Sequence, residues 1–242
     1  MKKEFLTKRT LANYKYFDRH NSESTLFRND ERIIKLLKKE FLSREQTICR
    51  LDTIHNSDAV LPETVIYDSK GFLGYSMINY KEYKELEDFI IGKLPFNERK
   101  RICLELCKII DDLERQEFAY YDVHPYNILY NNGDIKLIDM DSGIFKPDKI
   151  CDKDYETYNT YMRVADYFLT RLSLALLFED HLDQTIDNIS SKRKELFNYS
   201  PKKLVTLYKY VLNKPYSFLD VGEYIEDIDE DYIESAKLIL KK

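Results

Sequence analysis

Tryptophan is absent from this chain, glycine and proline occur only six times each, and cysteine four times. So little glycine excludes long flexible connections, and no repeats, low-complexity tracts or Gly/Ser linkers interrupt the 242 residues. The cysteines, Cys49, Cys103, Cys107 and Cys151, form no CxxC pair. Cys103 and Cys107 share a helix face at i, i+4, but no second ligand pair with zinc-site spacing accompanies them. Buried free thiols and a reducing compartment are expected. Long apolar runs are missing as well: the best, Tyr167 to Phe178, is broken by Arg171 and is too short to span a bilayer. The opening stretch MKKEFLTKRTLANY lacks the apolar core of a signal peptide, so a cytoplasmic protein without a membrane span is expected. Neither sign of charge dominates, since 38 Lys and Arg are interleaved with 43 Asp and Glu. That balance gives no electrostatic footprint for nucleic acid, and no nucleic-acid partner is expected. Richness in Lys, Ile, Asn and Tyr hints at an AT-rich bacterial genome.

What is present supports a folded core, with hydrophobic residues at 43%. Ser24–Arg28, the turn pair Asn29–Asp30 and Arg32–Leu37 read as a β-hairpin. Ser43-Arg44-Glu45-Gln46 has capping-box form, with Ser43 as N-cap of a helix carrying Ile48, Leu51 and Ile54. Beyond Pro62, ETVIYD and GYSMINY read as two strands joined at Ser69–Gly71. The second half turns helical. Pro95-Phe96-Asn97 opens a helix whose Ile102, Leu106, Ile109, Ile110 and Leu113 share one face. A polar hairpin follows, with strands Asn127–Tyr130 and Ile135–Ile138 around the turn Asn131–Asp134. Tyr158 to Phe178 and the remainder are helical. Strands first and helices afterwards predict an α+β protein with two unequal lobes, residues 1–80 and 81–242.

The segment Tyr120 to Gly143, YYDVHPYNILYNNGDIKLIDMDSG, carries the chemistry. Asp122 and Asn127 stand on a loop before one strand, and Asp139 just after the next. A tight hairpin would bring both strand ends to one side. Carboxylate and amide oxygens in that arrangement suit a hard cation such as magnesium, and leave one carboxylate to accept a proton from an attacking hydroxyl.

These residues resemble the catalytic and metal loops of the protein-kinase superfamily, D-x-x-x-x-N followed by D-F-G. The Asp-Val-His-Pro-Tyr-Asn form at 122–127 is most similar to the aminoglycoside and choline phosphotransferase branch and to atypical bacterial kinases. The resemblance implies a two-lobed kinase-like fold, covering roughly residues 10 to 180, and a function with ATP and Mg2+. Asp122 would be the catalytic base or hydroxyl positioner, Asn127 a metal ligand and Asp139 the principal magnesium ligand. Lys35 matches the third-strand lysine that meets the phosphates. Glu45 is its best partner, with Glu40 a rival. Ile78 would line the adenine pocket, and backbone groups of Asn79, Tyr80 and Lys81 would meet the adenine edge. His124 reads as a structural member of the loop rather than a second base.

The pattern is departed from in three places. The segment Asp18 to Ser24 has no glycine, so phosphates would rely on backbone amides assisted by Ser22 or Ser24. Asp139-Met140-Asp141-Ser142-Gly143 replaces D-F-G; Asp141 could add a second carboxylate or face solvent, and the solvent-facing reading is the expected one. The stretch from Gly143 to Tyr158 is short and has no A-P-E, which speaks against phosphorylation-gated activation. The expected activity is transfer of the γ-phosphate to a hydroxyl acceptor, either a small molecule or a protein Ser/Thr. The alternative is an inactive relative that binds nucleotide or acts as a scaffold, and a third is nucleotidyl transfer on the same fold.

Overall fold

The computed structural model describes residues 1–17, 23–148, 152–213 and 217–241. These form two compact units: Met1–Lys84 with Lys136–Asp141, and Glu85–Ile135 with Ser142–Lys242. The expected division at 80/81 therefore moves to 84/85, and the six residues ending in Asp141 join the first unit. The protein is α+β, with a β-rich N-terminal part and a helical C-terminal part. Among the described residues no helix is long and apolar enough to cross a membrane.

The first unit is built on a six-stranded sheet, in the order β1-β5-β6-β4-β3-β2. Its strands are β1 (Lys2–Phe5), β2 (Lys15–Phe17), β3 (Ser24–Arg28), β4 (Arg32–Leu37), β5 (Thr64–Asp68) and β6 (Gly71–Ile78), with the short helix α1 (Lys8–Leu11) after β1. Only β1 and β5 run parallel; the other neighbours are antiparallel. The β3–β4 turn forms because the Asn29 side chain accepts from the Glu31 and Arg32 amides at 3.0 and 2.8 Å, mimicking a backbone turn. Strand β4 is the centre of the unit. Ile34 and Lys35 are both buried although they point to opposite faces, so the sheet is covered on both sides here. Gly74 makes that density possible. A side-chain carbon there would collide with the Lys35 carbonyl, and its φ of +156° suits glycine.

The helix expected after β4 is shorter and starts differently. Lys39–Arg44 form a 3-10 turn, and α2 covers only Glu45–Arg50, with Arg44 at its N-cap and no side-chain cap. Ser43 is therefore not the cap. The tighter turn runs through it, so its hydroxyl is not set at the start of the α-helical amides.

In the second unit α3 (Phe96–Arg115) buries Ile102, Cys103, Leu106, Ile109, Ile110 and Leu113, the periodic face read from the sequence. It packs against α4 (Asp152–Phe178) and against α8 (Val221–Glu226), whose first turn is capped by Asp220 accepting from the Glu223 amide at 3.0 Å. The other helices are α5 (Leu182–Ser191), α6 (Arg193–Tyr199), α7 (Lys202–Asn213) and α9 (Glu230–Leu240). After β7 (Lys84–Glu85) come the short strand β8 (Phe118–Ala119), the hairpin β9 (Ile128–Asn131) with β10 (Asp134–Leu137), and β11 (Ile144–Phe145), which pairs with β8. Asn132 and Gly133 turn the hairpin with φ of 45° and 98°, the left-handed pair that a two-residue hairpin loop requires.

Cys103 and Cys107 are buried free thiols and Cys49 is an exposed one. Burial pushes the Cys103 thiol up to about 12, which makes it inert. Cys151 and His20 lie outside the described residues.

Candidate functional site

Lys35 is a deeply buried charge of the first unit. Its ammonium donates to Asp139 Oδ1 at 2.7 Å and to Asp141 Oδ1 at 2.8 Å, with 1% of the side chain exposed. These partners stand more than a hundred residues downstream, at the end of the segment that joins the first unit. A bare ammonium in such a place would be severely penalised. Burial is the largest influence and on its own lowers the Lys35 pKa, but Asp139 and Asp141 together outweigh it and raise the pKa above the ordinary lysine value.

The two aspartates differ in setting. Asp139 holds φ at 64°, in the left-handed region that a non-glycine residue rarely occupies, and 23% of its side chain is exposed. Asp141 follows in a 3-10 turn (Met140–Ser142) and its side chain is fully buried. It accepts from Lys35, from Tyr75 Oη at 2.6 Å and from Arg44 Nη1 at 3.1 Å. Burial would raise its pKa, yet these donors, led by Lys35, hold it below the usual carboxylate range. The expectation of a solvent-facing Asp141 is thus corrected. Arg44 in turn grips Glu23 through both nitrogens, at 2.6 and 3.0 Å.

The pairing expected of Glu45 is not made. Glu45 sits on the first turn of α2 and accepts from Tyr67 Oη at 2.7 Å, while Lys35 is taken by the aspartates. Its rival Glu40 lies exposed in the preceding 3-10 turn. The expected bridge between Lys35 and a helix glutamate is not formed.

The adenine-edge residues end β6. Ile78 is 46% exposed and its neighbour Met77 is the buried one. The Asn79 amide donates to Glu31 O at 2.8 Å and the Lys81 amide to Asn79 O at 2.9 Å. Tyr80 accepts through its carbonyl from the Tyr83 amide at 2.9 Å, and the Tyr80 and Tyr83 rings meet edge-on. Of the backbone groups expected to meet the adenine edge, the Asn79 and Lys81 amides and the Tyr80 carbonyl make local bonds in this structure. The phosphate-loop residues Asp18 to Ser22 lie outside the described residues. Ser24 is described, and its buried hydroxyl finds no hydrogen-bond partner among the described residues.

In the second unit the Asp122–Asn127 loop closes on itself. The His124 amide donates to Asp122 O at 2.9 Å and the Asn127 amide to His124 O at 2.8 Å. Asn127 Nδ2 donates to Asp122 Oδ2 at 2.8 Å. Tyr120, fully buried, and Tyr121, packed on the Tyr161 ring at 4.5 Å, brace the loop from the β8 side. His124 stacks its ring on Tyr126 at 5.1 Å, which fits a structural member of the loop. Gly143 lies so close to the Phe118 ring that a side-chain carbon would overlap it.

Among the described residues no three His, Cys, Asp or Glu side chains gather as a ready-made cation cage. Magnesium does not need such a cage, since that ion usually takes one or two carboxylates and completes its shell with phosphate oxygens and water. Asp139 offers the carboxylate. The Asn127 bond to Asp122 uses the amide nitrogen, so the oxygen that a hard cation takes is not consumed by it.

The parts played by Tyr75, Arg44 and Glu23 were not read from sequence, and Asp141 was expected to face solvent. The signal lay in register: Tyr75 stands directly opposite Lys35 across β4 and β6 and so shares its face. A phenol beside a buried lysine needs a common acceptor. No family model matches this chain, and no curated protein matches it in sequence.

Proposed function

We propose that this chain is a kinase-like phosphotransferase that uses ATP and magnesium to move the γ-phosphate to an alcohol hydroxyl, on a small molecule or on a protein Ser/Thr. The observation that carries the reading is the buried Lys35 joined at 2.7 Å to Asp139, a carboxylate on strained backbone at the end of the motif segment. A lysine held this way is a fixed cation suited to phosphate oxygens, and Asp139 is its more exposed partner.

In this reading Lys35 neutralises phosphate charge, and Asp139 and Asn127 would hold magnesium, which would supply charge screening for the phosphates. Asp122 orients the acceptor hydroxyl and receives its proton. The hydrogen bond from Asn127 helps to orient the Asp122 carboxylate. The free thiols among the described residues go with a reducing, cytoplasmic setting.

A second reading, a scaffold without turnover, is favoured by one observation: the Asn79 and Lys81 amides are already bonded within the chain. Incubation with γ-labelled ATP, magnesium, a panel of hydroxyl metabolites and a cell lysate separates the two. The parent should label an acceptor, and Asp122→Ala should lower the rate by about a thousandfold with nucleotide affinity nearly unchanged. Equal rates in both proteins would remove Asp122 from the role. Absence of label in every acceptor would favour the scaffold.

A further inference from the structure

The lysine of the first unit has two acidic partners that differ in every respect that matters for exchange. We propose that Asp141, and not Glu45, is the positioning residue that holds Lys35 for phosphate binding, leaving Asp139 free to move from lysine to metal. This rests on the phosphotransferase reading above and adds a residue to it.

Burial separates the two partners first. The Asp141 carboxylate is fully buried and collects three donors, from Lys35, Tyr75 and Arg44. To release it would strand all three. Asp139 is partly exposed, with 23% of its side chain accessible. Charge separates them next. Lys35 and Arg44 face Asp139, Asp141 and Glu23, so the ligand-free set carries one surplus negative charge. Transfer of Asp139 to a cation leaves Lys35 and Arg44 matched by Asp141 and Glu23, and no buried ion is left uncompensated. Were Asp141 the one to leave, Lys35 would keep only the more exposed carboxylate and the Tyr75 hydroxyl would lose its acceptor.

Glu45 offers no comparable hold. It is engaged by Tyr67 at the start of α2, and the 3-10 turn before it puts Arg44, rather than Glu45, against Asp141. The sheet fixes the other side. Tyr75 is in register with Lys35, and Gly74 beside it admits β6 close against the Lys35 backbone. Lysine, tyrosine and aspartate are thereby set by one stretch of paired strand and one 3-10 turn, and the α2 helix supplies no part of the hold.

The test reads the lysine itself as well as nucleotide binding. The ligand-free parent, Asp141→Asn and Glu45→Gln are treated with a small amine-acetylating reagent, and modification of Lys35 is followed by peptide mass spectrometry. Loss of a charge-assisted bond should speed Lys35 acetylation about tenfold in Asp141→Asn, with Glu45→Gln within about twofold of the parent. The affinity for a fluorescent ATP analogue with magnesium should fall by a similar factor in Asp141→Asn only. In a Lys35→Met background, Asp141→Asn should weaken nucleotide binding no further, because the aspartate acts through the lysine. Equal acetylation of Lys35 in Glu45→Gln and Asp141→Asn would overturn the proposal, as would undiminished weakening in the Lys35→Met background. A parent that binds no nucleotide would sink the phosphotransferase reading, while the acetylation ratio would still decide which acid holds the lysine. Should Asp141→Asn fail to fold, Tyr75→Phe removes one Asp141 donor without changing charge. It should raise Lys35 acetylation about threefold, and an unchanged rate would count against the proposal.

Discussion

Asp141 in the first unit is buried beneath Lys35, Arg44 and Tyr75, whereas in the second unit Glu114 and Asp166 are buried mainly among other acids. The same side-chain chemistry thus titrates in opposite directions. Asp141 is held below the usual carboxylate range by its cations. Glu114 is pushed up to about 8, by burial first and then by Asp166 and Asp111, and its buried Oε1 finds no hydrogen-bond partner among the described residues. Asp166 is pushed up to about 7 by burial, then by Asp111 and Asp220, although it accepts from the Leu219 amide at 3.0 Å. Burial raises a carboxyl pKa in both places, and only paired cations reverse the outcome. The same burial therefore leaves Asp141 charged and Glu114 protonated near neutrality.

The largest expected effect breaks the first half of this comparison. Lys35→Met leaves Asp141 and Asp139 without their shared ammonium and should lower stability in urea at pH 7 by about 3–5 kcal/mol. Lys35→Met combined with Asp141→Leu should lose less than the single change, because the charges leave together. A single-variant loss under about 1 kcal/mol would mean that Lys35 is not held as described.

A smaller effect sharpens the second half. Folded Glu114 and Asp166 bind protons more tightly than in the unfolded chain, where they titrate near the ordinary carboxylate values of 4.5 and 3.8. Between those values and about 8 the folded state holds the extra protons, so stability falls as pH rises through that window. Glu114→Gln should flatten the slope of melting temperature against pH from 5 to 8 by about half. Asp141 works the other way: its contribution is present above the unfolded carboxylate value and is lost as pH falls through the lowered folded value. An unchanged slope in Glu114→Gln would place the pH response elsewhere.

Much of the fold was legible because the signals were local. Alternation, Asn-Gly turn chemistry and the 3.6-residue stripe gave the β3–β4 and β9–β10 hairpins and the buried face of α3. The start of α2 was misread, because a capping-box pattern says nothing of whether the preceding residues wind as a 3-10 turn. Lys35 and Asp139 could be named from motif spacing, but the exchange of Glu45 for Asp141 could not. It depends on residues about a hundred positions apart meeting in the first unit, and on Tyr75 lying opposite Lys35, which only strand register reveals.

The most direct measurement is the melting temperature of the parent, Lys35→Met and Asp139→Asn across a titration of ATP with magnesium. Saturable stabilisation of the parent that is much weaker in both variants is the expected result, with a shift of about 2.7 kcal/mol for the parent at a hundredfold excess over its dissociation constant. A parent unmoved by millimolar nucleotide, or variants stabilised as strongly as the parent, would contradict a phosphate site built on this lysine and aspartate.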